Sequence, residues 1–472
     1  MGFVVFVNGL VLVATGLAMG SVALVFPATR AVFLAAGLAT ALLGTFLCLA
    51  TSPRLHGFHR LHGFVLTASV WLSSAVAGAL PLWLWQLSPT DAFFEAMSGI
   101  TTTGSTVISG LDSVEPGILL WRALLQWAGG VGFIVTGMAL LPMLRVGGMQ
   151  LFRTESSERG EKELASAARF AAATLWIYLS LTALCALAYR IGGMTPFEAI
   201  AHAFTTLSTG GYSTSDASFG HFTSPFLQWS GTVFMLAGGL PFAWYIRLAS
   251  RGRVASEQVR VLLTGLAIVI TALTLWRVAS SGAPAFTALT DVAFNVVSVV
   301  TTTGFATTDY TLWGAPAVIA FFLLTAFGGC TGSTAGGVKM MRWVVLGRFL
   351  TARVRTVHAP HAMMTVRYEG RALESDQVGG VIAFFSLFFL SFTLLTVALD
   401  LLGLDFETSV SGALTALCNV GPGIGPVIGP AGNFASLPDT AKWVLSFGMY
   451  LGRLEMMTVF VLISPSFWRE LA

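Results

Sequence analysis

Four short apolar segments, each running into a Thr/Gly motif, constrain this chain more than any other feature. They span roughly 91 to 103, 196 to 209, 290 to 303 and 406 to 420. They end on Thr101-Thr102-Thr103-Gly104, Ser208-Thr209-Gly210-Gly211, Thr301-Thr302-Thr303-Gly304 and Asn419-Val420-Gly421-Pro422-Gly423. About 13 residues at about 1.5 Å each reach about 20 Å, short of a hydrocarbon core about 30 Å thick. Such segments must re-enter, and irregular backbone at membrane depth survives only where it is buried in protein or lines a watery cavity. Aligned on Gly104, Gly210, Gly304 and Gly421, the copies are 106, 94 and 117 residues apart (210−104, 304−210, 421−304). That spacing predicts a unit of three elements used four times.

The rest of the chain reads as a membrane protein. Of 472 residues 55% are hydrophobic and only 10% charged, against about 25% charged in soluble domains, too few to dress a water-facing globule. Apolar runs of spanning length lie near 3 to 26, 31 to 51, 64 to 86, 118 to 144, 168 to 190, 224 to 248, 260 to 279, 314 to 345, 378 to 402 and 439 to 465. The first run has no basic leader and a second follows at once, which predicts a retained span rather than a cleaved signal peptide. Cys48, Cys185, Cys330 and Cys418 lack paired spacing, so neither a disulfide framework nor a zinc site is expected. The predicted architecture is an all-α integral membrane protein. Two accessory N-terminal transmembrane helices occupy 1–52, and four span, pore loop, span repeats around a pseudo-fourfold pore occupy 53–147, 148–254, 255–350 and 351–472.

Charge placement predicts sidedness. Nineteen of the 25 Lys and Arg residues fall in alternate loops and the tail, the longest basic stretch running from Arg342 to Arg371, and the positive-inside rule makes that side cytoplasmic. The opposite set holds only Arg30, Arg122, Arg190, Arg277 and Lys442. It collects Asp91, Glu95, Asp112, Glu115, Glu198, Asp216, Asp291, Asp309, Asp400, Asp405, Glu407 and Asp439. All four short segments therefore face an outer vestibule whose carboxylates would concentrate cations; for any one residue, solvated surface is the alternative.

A cation leaving water needs its hydration oxygens replaced, and backbone carbonyls do this without adding trapping charge. Gly104, Gly210, Gly304 and Gly421 allow the torsions that aim carbonyls inward. Hydroxyls of Thr102, Thr103, Ser208, Thr209, Thr302 and Thr303 can add ligands or brace the loop, while Asn419 and Val420 replace them in the fourth copy. The competing reading, helix-end turns capped by glycine, leaves the four short preceding segments unexplained.

On these motifs the chain resembles the Trk/Ktr/HKT superfamily of potassium transporters, and within it the TrkH subunits, over nearly its full length. The likeness also rests on the loop Gly328 to Lys339, the run Gly148-Met149-Gln150-Leu151-Phe152-Arg153 and Gly452-Arg453-Leu454-Glu455. The two extra leading spans favour TrkH over Ktr. The resemblance implies potassium uptake through a homodimer with one pore per protomer, in a bacterial cytoplasmic (inner) membrane, attached to a TrkA-type nucleotide-binding ring. In HKT relatives a serine at the first filter glycine goes with sodium, so glycine at all four positions favours potassium.

The run Gly328, Gly329, Cys330, Thr331, Gly332, Ser333, Thr334, Ala335, Gly336 and Gly337 interrupts the span 314 to 345. Interior glycines cost about 1 kcal/mol each in a helix, so a loop inside the membrane is expected, lying below the third filter segment; the resemblance implies that it is the gate. It is no phosphate loop, because the Gly-Lys-Ser/Thr ending is missing. Arg453 stands inside the last span, where a guanidinium costs at least about 2.5 kcal/mol unless it faces protein or water. It is expected either below the filter near the glycine loop, as the resemblance suggests, or paired with a carboxylate such as Glu455.

His56, His59 and His62 fall at every third position of a cytoplasmic loop and read as a wet interfacial segment, a metal or pH-sensing site being the alternative. His202 reads as a packing residue. The basic stretch suits lipid headgroups or an acidic partner. No nucleotide fingerprint and no nucleic-acid partner is expected, potassium is the only ligand, and no organic cofactor is called for. The absence of His-Glu-x-x-His and Gly-x-Ser-x-Gly argues against an intramembrane enzyme. Symport coupled to protons or sodium stays open beside channel-like flux.

Overall fold

The structure, a computed structural model, describes residues 1–51, 61–139, 161–252, 255–359 and 365–471, without the side chains of 133–139, 161–168, 250 and 251. His56, His59 and the run Gly148 to Arg153 lie outside the described residues. These form eighteen α-helices and one small hairpin, Arg367–Tyr368 paired with Arg371–Ala372.

Helices α1 (Gly2–Val25) and α2 (Arg30–Thr51) form an antiparallel pair held by close backbone approach. A Cβ on Gly16 would press on the Gly37 carbonyl and Ala41, and one on Gly44 on the Gly9 carbonyl and Leu12. Small residues at such crossings are how helices pack where lipid supplies no hydrophobic drive. Buried Asn8 fastens this pair to α3 (His62–Trp85), donating to Ser69 Oγ and accepting from Ser73 Oγ, both at 2.8 Å.

Beyond that pair the order long helix, short helix, second helix occurs four times. The first set is α3, α4 (Pro89–Ile100) and α5 (Pro116–Ala139). The second is α6 (Glu161–Ile191), α7 (Pro196–Leu207) and α8 (Pro225–Gly239), continued by α9 (Phe242–Arg251). The third is α10 (Glu257–Ser281), α11 (Ala285–Val300) and α12 (Ala315–Thr325), followed after a loop by α13 (Met340–His358). The fourth is α14 (Ser375–Leu401), α15 (Phe406–Cys418) and α16 (Asp439–Arg453), continued by α17 (Met456–Ile463) and α18 (Pro465–Leu471). The short helices bury most of their side chains; Phe94, His202, Phe294 and Cys418 are sealed from solvent. The long helices turn residues such as Trp176, Ile268 and Phe389 outward, as lipid-facing elements should.

Three predicted spans need correction. The run 224 to 248 bends by 94° between α8 and α9, because Pro241 lacks an N–H and disfavours helix in Leu240 before it. The run 439 to 465 bends by 111° between α16 and α17, where Glu455 takes a φ of 66°. In the run 314 to 345 the first helix stops at Thr325, and the one that starts at Met340 continues past the predicted end to His358. The arginines of that extension do not interrupt it, arginine being a good helix former.

Gly16→Leu should push α1 from α2 and cost about 1 to 3 kcal/mol, the usual scale of overpacking, read as a lower unfolding temperature in detergent. Gly20→Leu on the same helix, where a Cβ meets nothing within 4 Å, should leave that temperature unchanged.

Candidate functional site

Local chemistry starts each short helix. Ser88 Oγ accepts from the Asp91 N–H at 3.1 Å, Thr195 Oγ1 from Glu198 at 3.3 Å and Asp405 Oδ1 from Thr408 at 2.9 Å. Each is an N-cap, and proline occupies the first turn of the first two helices. The third begins after Pro284 with no side-chain cap.

The chain leaves all four helices through one repeated set of hydrogen bonds. The N–H groups of Thr102, Thr209, Thr302 and Asn419 donate to Gly99, Thr206, Val299 and Ala416 at 3.0, 3.0, 3.0 and 3.2 Å. Those of Thr103, Gly210, Thr303 and Val420 reach five residues back, to Ser98, Thr205, Ser298 and Thr415, at 2.8, 2.8, 2.8 and 3.1 Å. The first residue of each set is left-handed, with φ of 56°, 52°, 59° and 54°. For the three threonines this is costly, of order 1 to 3 kcal/mol each. The second residue is not left-handed; the third is glycine, with φ of 88° at Gly104, 77° at Gly211, 81° at Gly304 and 109° at Gly421.

This corrects the register of the second copy. Gly211, not Gly210, is equivalent to Gly104, Gly304 and Gly421, and Gly210 matches Thr103, Thr303 and Val420. The spacings become 107, 93 and 117 residues (211−104, 304−211, 421−304). Ser208 accordingly matches Thr101 at the helix end. Two adjacent glycines leave the register open in sequence; the bonds from Thr209 and Gly210 to the helix end decide it.

The four segments meet in a closed ring. A Cβ on Gly104 would overlap the Gly210 carbonyl oxygen, one on Gly211 that of Thr303, one on Gly304 that of Val420, and one on Gly421 would crowd that of Thr103. The contacts pass from each repeat to the next and return to the first. The alternation of positive and negative φ along each strand sets it apart from a β-strand, whose φ stays negative.

Beneath the ring lies the glycine loop. Its ends are tied by Gly328 N–H to Val338 O at 3.0 Å and Met340 N–H to Gly329 O at 3.1 Å. Cys330 and Thr334 N–H donate to Gly239 and Gly238 carbonyls, Thr331 N–H to Gln258 Oε1, and Gly332 O accepts from Phe242 N–H. Ser333 Oγ returns to the Cys330 carbonyl at 2.7 Å. Thr334 Oγ1 donates to Leu207 O and lies 3.3 Å from Thr209 Oγ1, while Gly336 N–H donates to Thr302 Oγ1 at 2.6 Å. A Cβ on Gly336 would overlap the Cys418 carbonyl, and Lys339 Nζ donates to Ala335 O. The loop thus touches the strand or helix end of repeats two, three and four.

Arg453 completes this underside. Buried at the end of α16, it donates from Nη1 to Thr334 O at 3.1 Å and from Nη2 to Gly129 O at 3.2 Å, joining the loop to the first repeat. Glu455 is not its partner: it forms a buried ion pair with Arg342 at 2.5 Å. Lys339, Arg342, Arg453 and Glu455 line one small cavity under the loop.

The vestibule is less acidic than the sequence implies. Glu95 is fully buried and paired with Arg122 at 2.7 Å, Asp91 pairs with Lys442 at 2.6 Å, and Asp291 with Arg277 at 3.1 Å. Asp112 stays at the outer surface, and a Ser215 hydroxyl bond holds its carboxyl below the usual range. His202 is a packing residue, its ring nitrogens on Glu198 O and Ser213 Oγ. Sequence reading also passed over a second repeated signal. Gly129-Gly130 and Gly238-Gly239 occupy matching places in the second helices, Gly328-Gly329 lies just beyond the third, and Gly452-Arg453 stands there in the fourth. Gly129, Gly238 and Gly452 let those helices press against the Ile100, Leu207 and Leu417 carbonyls at the short-helix ends.

Residues 29–470 match the family model described as "TrkH: Cation transport protein". The chain is 52% identical to the Trk system potassium uptake protein TrkI of Halomonas elongata, over 86% of this chain and 84% of that protein. It is 36% identical to the Trk system potassium uptake protein TrkH of Vibrio parahaemolyticus, over 96% and 97%. The crystal structure of the potassium transporter TrkH from Vibrio parahaemolyticus superposes with a TM-score of 0.91 over 99% of both chains, at 32% identity. With six helices among the described residues long and apolar enough to cross a membrane and two bent pairs besides, this is a multi-pass protein of the bacterial inner membrane. The chain belongs to the TrkH family of cation transport proteins, a family of transporters and not of enzymes.

Proposed function

We propose that this chain takes up potassium across the cytoplasmic membrane through the ring of carbonyls at Thr103, Gly210, Thr303 and Val420. The observation that carries the reading is the closure of that ring, in which all four glycines abut a neighbouring repeat's carbonyl with no room for a side chain. Oxygen dipoles of this kind replace a cation's hydration shell without a full charge to trap it. The short helices end at the ring, so their partially negative C-termini add to the attraction. Hydroxyls and amide of Thr102, Thr209, Thr302 and Asn419 stand one step below, and Thr102 Oγ1 and Asn419 Oδ1 are buried with no hydrogen-bond partner among the described residues.

The glycine loop is the gate in this reading. It is held on one side by bonds to Gly238, Gly239, Phe242 and Gln258 and on the pore side by Thr209, Thr302 and Arg453, so releasing the pore-side contacts opens a path to the cytoplasm. Arg453 places a positive charge on that path and holds the loop closed. The names of the relatives support potassium as the cargo and a Trk system as the context. The same likeness supports a homodimer and a TrkA-type nucleotide-binding ring docked on the basic cytoplasmic segments, among them α13 with Arg348, Arg353 and Arg355.

Flux of potassium and rubidium into liposomes holding the purified chain tests these roles. Gly104→Ser should lower the preference for potassium over sodium, because its Cβ meets the Gly210 carbonyl; unchanged selectivity would place the ion elsewhere. Shortening the loop within Thr331 to Ala335 should raise basal flux severalfold, whereas a structural loop would give misfolded protein or unchanged flux. Flux that requires an imposed proton or sodium gradient would favour symport instead.

A further inference from the structure

The second copy differs from its siblings at one place in the ring. Thr103 and Thr303 each brace their own strand, their hydroxyls lying 2.8 Å from those of Thr101 and Thr301, and Val420 fills the same place with a buried apolar side chain. Gly210 has no side chain to do either. The space a Cβ would enter there is taken by the amide of Gln126, which arrives from α5 of the first repeat. Gln126 is fully buried. Its Nε2 donates to the Gly210 carbonyl at 2.6 Å and its Oε1 accepts from the Tyr212 N–H at 3.0 Å.

Among the described residues only the first repeat carries this device. Counting three residues back from the paired glycines, the matching positions are Met235, Thr325 and Met449. The two methionines have no amide, and the Thr325 hydroxyl is spent on Phe321 O at 2.9 Å. The surroundings of Gln126 are rigid. Tyr212 Oη donates to Glu95 O at 2.8 Å, and the Arg122 guanidinium lies 4.0 Å above the Tyr212 ring while paired with Glu95.

We propose that Gln126 is a positioning residue for ion selection: it substitutes from the first repeat for the side chain Gly210 lacks, and fixes the Gly210 carbonyl in the ring. This rests on the reading of the ring as the potassium path. A carbonyl held by a donor cannot swing toward a smaller ion without giving up that bond. The ring is therefore stiffest between repeats one and two, and preference for the larger ion depends on that quadrant. The same amide accounts for the sequence at this position, since any side chain at 210 would collide with it.

The test compares potassium and sodium flux of the full chain in liposomes for wild type, Gln126→Met and Gln126→Glu. Gln126→Met installs the residue found in repeats two and four; Gln126→Glu keeps the volume and the acceptor for the Tyr212 N–H but removes the donor. Loss of one such bond should lower the potassium-to-sodium flux ratio about three- to tenfold in both, with potassium flux retained. A wild-type ratio in Gln126→Glu overturns the inference, and that variant decides should Gln126→Met fail to fold. Absence of selective flux in wild type would instead overturn the reading of the ring.

Discussion

Hydrocarbon offers no water to a peptide group, so every N–H and C=O carried into the membrane needs a partner from the protein. The four Thr/Gly strands meet that demand in one way: two successive N–H groups turn back to the last carbonyls of the preceding short helix. That arrangement draws on helix carbonyls and not on those of the strand, of which Gly210 O accepts from Gln126 and Gly421 O from Ser105. It also forces a left-handed residue where the chain leaves each helix, which is why threonine takes a backbone it ordinarily avoids at 102, 209 and 302. The strain is sustained because neighbouring strands, second helices and the glycine loop enclose these turns on every side.

Buried charge obeys the same constraint. Removing one partner of a buried ion pair costs about 3 to 5 kcal/mol, and Arg122–Glu95 and Arg342–Glu455 are both of that kind. The first sits behind the ring on the outer side, the second below the glycine loop. Arg453 is tied to the carbonyls of Thr334 and Gly129.

Much of this was legible in the sequence. Four segments too short to span, their Thr/Gly endings and the glycine-rich interruption led to a fourfold membrane architecture. What escaped did so for physical reasons. The sign of φ decides whether Gly210 or Gly211 faces its neighbour, and two adjacent glycines accept either sign equally. The break after Gly239 was announced by Pro241 but hidden inside an unbroken apolar run; the break at Glu455 has no comparable marker. Glu95, Asp91 and Asp291 looked like vestibule charge because their partners Arg122, Lys442 and Arg277 are distant in sequence or on another helix. Gln126 was invisible for the same reason, lying 84 residues from Gly210.

The central claim is that the carbonyls of Thr103, Gly210, Thr303 and Val420 form one ion-binding ring. Crystals of the protein soaked in rubidium or thallium give the most direct measurement. An anomalous peak on the pseudo-fourfold axis, within coordination distance of those four oxygens, is the predicted result. Saturating ion with no peak at that level, or a peak displaced to side chains of one repeat, would contradict it.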